Sequence, residues 1–223
     1  MTYRLAVFDM AGTTVADDNA VGLAFQQAFR NSGYEIKLED LNPLMGYHKP
    51  LAIQLALEKI GEEFDEDTVK TIHDDFVEEM INYYEYDPAV RPLPAVEEVF
   101  LELKEKGISV ALNTGFPHEI AETIVKRFQW KERGLVDDYI ASDEVEKGRP
   151  HSFMIHELMN RAGVDDPSNV LKIGDTEADI NEGRNTKCGL VVAVTTGAFT
   201  REELEQYHPD HILDNLSELP KLF

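Results

Sequence analysis

The chain opens on a short apolar run, Leu5-Ala6-Val7-Phe8, bounded by Arg4 and Asp9, which predicts a strand over residues 4–9. The period then changes. Leu23, Ala24, Ala28 and Phe29 recur at helical spacing and predict a helix over 20–29, and residues 51–60 repeat the habit. Val69, Ile72, Phe76, Met80 and Ile81 form one apolar stripe and predict a third helix over 67–84. Pro88, Pro92 and Pro94 punctuate the chain before a helix over 95–106. From there strands and helices alternate. Strands are predicted at 108–112, 139–142, 170–173 and 190–195, with an edge strand at 211–213. Helices are predicted at 117–128, 150–161 and 178–184, and Thr200 with Glu203 reads as the capping box of a last one.

Alternation after residue 92, together with the isolated first strand, predicts an α/β architecture: a Rossmann-like parallel sheet flanked by helices. The all-helical block interrupts that pattern and reads as an inserted cap domain over 15–91. The catalytic core is then 1–14 with 92–223. A chain of 223 residues can bury a core of that size.

Composition narrows the choice of class. No apolar run reaches the ~18 residues of a membrane span, so no membrane partner is expected. Met1-Thr2-Tyr3-Arg4 runs straight into the first strand and shows no signal-peptide pattern, and Cys188 is the single cysteine. Both favour a cytoplasmic location without disulfides. The formal net charge of −22 would repel duplex nucleic acid on average, so no nucleic-acid partner is expected. An anionic small molecule still fits if its pocket is locally positive or holds a cation.

In a doubly wound sheet, functional groups gather at the carboxyl ends of the strands. Asp9 follows the first strand, and Asn113-Thr114-Gly115 ends the second. Gly148-Arg149-Pro150 follows the third, Gly174-Asp175-Thr176 the fourth, and Asp179 lies four residues beyond Asp175. Each is weak alone: Asp-x-x-Gly-Thr is a common turn, Thr114 a common cap, Arg149 a common surface residue, and Asp175 and Asp179 common first-turn helix charges. Together they supply what phosphoryl transfer requires. Asp9 serves as nucleophile, Thr114 and Arg149 neutralise phosphoryl oxygens, and Asp9, Asp175 and Asp179 offer oxygen ligands to Mg²⁺.

In order and spacing these segments resemble the haloacid dehalogenase superfamily, in the branch with a helical cap after the first strand, over essentially the whole chain. Asp9-Met10-Ala11-Gly12-Thr13-Thr14, Gly148-Arg149-Pro150 and the run from Gly174 to Gly183 resemble the phosphonoacetaldehyde hydrolases (phosphonatases) in particular. Phosphatases of the superfamily usually carry Asp where this chain has Ala11, and often Lys where it has Arg149. The resemblance implies that Asp9 forms an aspartyl-phosphate and ligates Mg²⁺ together with the Ala11 carbonyl and Asp175. It implies that Asp179 supports that metal site, Thr114 and Arg149 hold the phosphoryl group, and the cap closes over the substrate. A homodimer through the cap is consistent with it. Met45-Gly46-Tyr47-His48-Lys49 resembles the segment whose lysine condenses with the substrate aldehyde. That implies an imine at Lys49; from the residues alone, Lys49 reads equally as a surface or steering charge before Pro50. The chain departs from the phosphonatase pattern at Ala52 (His there), Phe116 (Tyr there) and Ser152 (Pro there).

The leading expectation is a Mg²⁺-dependent hydrolase acting through an aspartyl-phosphate on a small phosphonate or phosphorylated metabolite. A phosphatase of small phosphate esters, with Lys49 dispensable, is the first alternative, and a catalytically inactive interaction protein is the second. His118 reads as a helix-start residue, Trp130 as an anchor for the helix end, and Cys188 as a small core filler.

Overall fold

The computed structural model describes residues 3–223; Met1 and Thr2, read above as leading into the first strand, lie outside the described residues. The strands form one parallel sheet. They are β1 (Leu5–Phe8), β2 (Ser109–Thr114), β3 (Asp138–Ala141), β4 (Val170–Gly174), β5 (Leu190–Val194) and β6 (His211–Leu213), in the order β3-β2-β1-β4-β5-β6. β1 is central, with Phe8 in register with Leu112 on one side and Ile173 on the other. Helices cover both faces, and this is why β1 is apolar without alternation: all four of its residues are buried. The edge strand predicted at the end of the chain is β6, paired to β5 alone.

Between β1 and the core helix α5 (Val96–Glu105), the only regular segments longer than one turn are helical: α1 (Ala20–Asn31), α3 (Lys49–Ile60) and α4 (Glu66–Tyr86). A short helix the periodicity did not signal, α2 (Leu38–Leu41), lies between α1 and α3 and is a single turn. α1 and α4 pack together through Phe25 and Phe76, whose rings stack at 4.2 Å. Phe76 also lies 6.2 Å from Phe116 of the sheet side, so the helical segment and one sheet face share an apolar cluster.

After β2 come α6 (His118–Phe128), α7 (Phe153–Ala162), α8 (Glu177–Thr186) and α9 (Arg201–Glu205). Trp130 is fully buried beyond α6, its indole N–H donating to Glu97 Oε1 at 2.8 Å, which meets the anchoring expectation. The Thr200–Glu203 capping box is present at α9. One boundary is corrected. The helix predicted over 150–161 starts at Phe153, because residues 148–151 turn, with His151 N–H bonded to the Gly148 carbonyl at 3.1 Å, as Arg149 points inward. Cys188 is half-buried between two small apolar clusters, and burial pushes its thiol up to about 12. No helix among the described residues is long and apolar enough to cross a membrane.

Candidate active site

The sheet order reverses direction between β1 and β4, and the crevice beyond their carboxyl ends is where such folds bind ligands. Asp9 leaves β1 there, flanked by Thr114 at the end of β2 and Asp175 just after β4. Lys49 arrives from the opposite side, as the first residue of α3. Asp9, Ala11, Lys49, Thr114 and Asp175 line one cavity of about 30 Å³, space for roughly a single water. Arg149 and Asp179, both fully buried, stand behind Asp9. The structure thus brings together every residue nominated from the sequence.

Arg149 organises the floor. Its Nη1 donates to Asp9 Oδ1 at 2.6 Å and lies 2.9 Å from Asp179 Oδ1, and Nε donates to Glu182 Oε2 at 3.1 Å. Its Nη2 donates to the Asn113 side-chain oxygen at 2.6 Å. Burial disfavours the Arg149 charge, but Asp179, Asp9 and Glu182 more than offset it and hold the guanidinium protonated. Asp9 Oδ2 makes no hydrogen bond to any described residue. Burial raises the Asp9 carboxyl and Arg149 opposes that rise. Thr114 accepts the Phe116 N–H at 3.1 Å, so its hydroxyl proton remains available to a ligand.

Asp9, Asp175 and Asp179 each place one oxygen within 4.8 Å of the others. Asp175 is oriented by Thr13 Oγ1, which donates to Oδ1 at 2.9 Å, and by the Ala198 N–H, which donates to Oδ2 at 2.8 Å. Burial first, then the charges of Asp9 and Asp179, push the Asp175 carboxyl far above its usual range. Burial also works against the charge of Asp179, but Arg149 and Lys172 outweigh it and hold this carboxyl low. Four buried carboxylates, Asp9, Asp175, Asp179 and Glu182, thus meet only Arg149 and Lys172 on the floor. Carboxylate repulsion with an all-oxygen donor set fits a hard divalent cation such as Mg²⁺.

Lys49 is the unusual cation. It is 3 % exposed and forms no ion pair within 4.0 Å among the described residues; its Nζ lies 5.0, 5.4 and 5.9 Å from the ring centres of Phe116, Phe25 and Phe76. Burial, aided by the Arg149 charge and opposed by Asp9, lowers the amine to about 8. Aromatic faces stabilise the cation partly, without supplying a counter-charge.

A family model described as haloacid dehalogenase-like hydrolase matches residues 6–193, more than half the chain. The chain belongs to the haloacid dehalogenase-like hydrolase family. It is therefore an enzyme, a hydrolase. Among curated relatives, a phosphonoacetaldehyde hydrolase from Bacillus cereus is 29% identical over 218 residues, spanning 92% of this chain and 82% of that protein. Among solved structures, a phosphonoacetaldehyde hydrolase-like protein from Oleispira antarctica superposes with a TM-score of 0.86 at 20% identity, covering 100% of this chain and 91% of that one. A hydrolase from Pseudomonas syringae gives 0.88 at 16% identity, covering 98% and 97%. At these identities the solved structures bear on the fold alone.

Sequence reasoning passed over part of this hydrolase's site. Lys172, Glu182 and Asn113 are fully buried: Lys172 Nζ lies 2.9 Å from Asp179 Oδ1, and Asn113 Nδ2 donates to Glu182 at 2.8 Å. A signal was present, since a lysine inside the apolar run Val170-Leu171-Lys172-Ile173 must be paired if both sheet faces are covered. Phe25, Phe76 and Asp17 were also missed as site residues, because their positions depend on how the helical segment folds back. His118 lies away from the cavity, stacked on Tyr139 at 5.9 Å, as a helix-start residue.

The helical segment meets the sheet through backbone. A Cβ on Gly115 would meet the carbonyl oxygens of Gly46 and Tyr47 at 2.5 Å each, and neither atom can swing aside. Gly115→Ala is expected to hold the Lys49 segment off the core. That misplacement lowers kcat/KM by roughly 10²-fold, with helical content unchanged by circular dichroism.

Proposed function

We propose that this hydrolase cleaves the carbon–phosphorus bond of a small phosphonate aldehyde, of which phosphonoacetaldehyde is the model, using Lys49 as an imine-forming amine and Asp9 as the phosphoryl acceptor. One observation carries the reading: an unpaired lysine, lowered to about 8, is buried in the same small cavity as the nucleophilic carboxylate. A lysine needed only for steering gains nothing from desolvation. An amine that must be neutral to attack a carbonyl does. The relative from Bacillus cereus, a phosphonoacetaldehyde hydrolase, supports the choice of substrate.

Lys49 Nζ attacks the aldehyde carbon, and loss of water leaves a protonated imine. Asp9 Oδ2 attacks phosphorus as the C–P bond breaks, and its electron pair flows into the iminium to give an enamine on Lys49. Protonation of the enamine carbon and hydrolysis release acetaldehyde and the free amine, and water then cleaves the aspartyl-phosphate. Because the iminium accepts the electrons, the leaving carbon needs no acid beside Asp9, consistent with Ala11 where a carboxylate would otherwise stand. Thr114, with its hydroxyl proton free, holds a phosphoryl oxygen. Arg149, whose N–H groups are taken by Asp9, Glu182 and Asn113, fixes Asp9 for attack in place of the direct phosphoryl contact that the resemblance implied. Mg²⁺ held by Asp9, Asp175, Asp179 and the Ala11 carbonyl would neutralise charge on the transferring group. Residues 15–91 act as a cap over a core of 1–14 and 92–223, and the cavity lies between Lys49 of the one and Asp9 of the other.

The test is borohydride trapping with phosphonoacetaldehyde, the modified peptide being read by mass spectrometry. A reduced adduct on Lys49 is expected. A folded, Mg²⁺-loaded protein that gives none removes Lys49 from the chemistry and redirects the search to phosphate esters.

A further inference from the structure

Asp17 lies in the connection between β1 and α1, in neither the strand nor the helix. Its Oδ1 accepts the Val21 N–H at 3.0 Å, which fixes the carboxylate against the first turn of α1. Oδ2 makes no hydrogen bond to any described residue. The side chain lines the small cavity together with Lys49 and Asp9. It also lines a neighbouring cavity of about 180 Å³ with Asn19, Asn42 and Thr196. Asp17 therefore stands between the small cavity and a roomier polar space.

The other carboxylates at or behind the cavity have partners or another task, Asp9 keeping its Oδ2 for phosphorus. Asp9 is bonded to Arg149, and both oxygens of Asp175 accept hydrogen bonds from Thr13 and Ala198. Thr176 donates its hydroxyl to Asp179. His48, next to Lys49 in sequence, lines a different cavity with Ser142 and Arg149. Ala52 and Phe116 have no ionisable group to exchange a proton. Asp17 is the carboxylate left on the cap side with a free oxygen.

We propose that Asp17 is the proton carrier of the imine step, moving one proton from the Lys49 ammonium to the oxygen that departs as water. The assignment rests on the imine reading above. Lys49 Nζ has no carboxylate oxygen within 4.0 Å among the described residues, so its proton passes to Asp17 Oδ2 through a water in the cavity the two residues share, and the neutral amine attacks the aldehyde carbon. Proton transfer from nitrogen to oxygen gives the carbinolamine. Asp17 then returns its proton to the carbinolamine hydroxyl, which leaves as water. The products are the protonated imine, water and an ionised Asp17, so charge and protons balance and no further reactant is needed.

The electrostatics agree with the geometry. Burial raises the Asp17 carboxyl and the Lys49 charge opposes that rise, so it is a readier proton acceptor than an exposed aspartate. Asp18 beside it raises it further. Tyr84, fully buried with an unpartnered hydroxyl, and Tyr83 both feel its charge. A plain capping role explains the Val21 bond but not the shared cavity with Lys49.

The experiment mixes holoprotein with phosphonoacetaldehyde, quenches with borohydride at timed intervals and quantifies the Lys49 adduct. Asp17→Asn keeps the acceptor for Val21 and removes only the proton site. Adduct formation is expected to slow by about 10²-fold in Asp17→Asn, with partial recovery in Asp17→Glu. Trapping by a folded Asp17→Asn at the wild-type rate overturns the role of Asp17 and leaves the imine intact. Equal loss in Asp17→Asn and Asp17→Glu, each with a lowered Tm, assigns the residue to capping and overturns the proposal. Absence of adduct in the wild-type protein overturns the imine reading and this one together.

Discussion

Asp9→Asn is expected to abolish turnover, by roughly 10⁴-fold or more, while the protein still folds. The amide cannot attack phosphorus, yet it is isosteric and can keep its oxygen toward Arg149 Nη1, now 2.6 Å from Asp9 Oδ1. The same substitution removes one of the three carboxylates that crowd within 4.8 Å of one another. Mg²⁺ should consequently raise the Tm of the wild-type protein more than that of the variant, since ligand binding to the folded state stabilises by mass action. Single-turnover assays with phosphonoacetaldehyde and thermal melts with and without Mg²⁺ read both effects. Turnover within tenfold of wild type would rule out Asp9 as the phosphoryl acceptor.

Lys49→Met is expected to lose imine trapping altogether and to be more stable than the wild type at neutral pH. The lowering of Lys49 from 10.5 to about 8 measures the bias of its surroundings against the charge. That bias corresponds to roughly 3 kcal/mol at most, and methionine keeps the apolar stem between Phe25, Phe76 and Phe116 without it. The sign follows from proton linkage. Between about 8 and 10.5 the unfolded chain holds the Lys49 proton and the folded chain does not, so wild-type stability rises with pH across that window. Below about 8 both states are protonated and the full penalty applies. The variant should lack this rise, and urea unfolding at pH 7 and pH 10 would show it. A variant less stable than wild type at pH 7 would mean that the three rings compensate the charge fully. Stability surrendered at a reactive residue is the expected trade in an enzyme.

Much of the scaffold was legible in the chain. Buried strands with helices on both faces need continuous apolar runs, and Leu5–Phe8 and Leu190–Val194 are such runs. The stripe Val69, Ile72, Phe76 and Met80 announced α4 because those positions all face inward. The strand-end residues were legible for a topological reason: a parallel sheet places the ends of β1, β2 and β4 side by side whatever the loops do. The start of α7 was misplaced because the need of Arg149 to reach Asp9, 140 residues earlier, overrides local helix preference.

By itself, the sequence determined the sheet-and-helix order, the family and the floor of the site, since periodicity and strand-end position are local properties carried by neighbouring residues. Only the tertiary structure decided what faces that floor. Lys49 loses water because Phe25, Phe76 and Phe116, from two helices and a strand-end loop, converge on it. Asp17 becomes more than a helix cap because the same convergence encloses it with Lys49. Desolvation and charge proximity are sums over residues distant in the chain, and no spacing along the sequence encodes them.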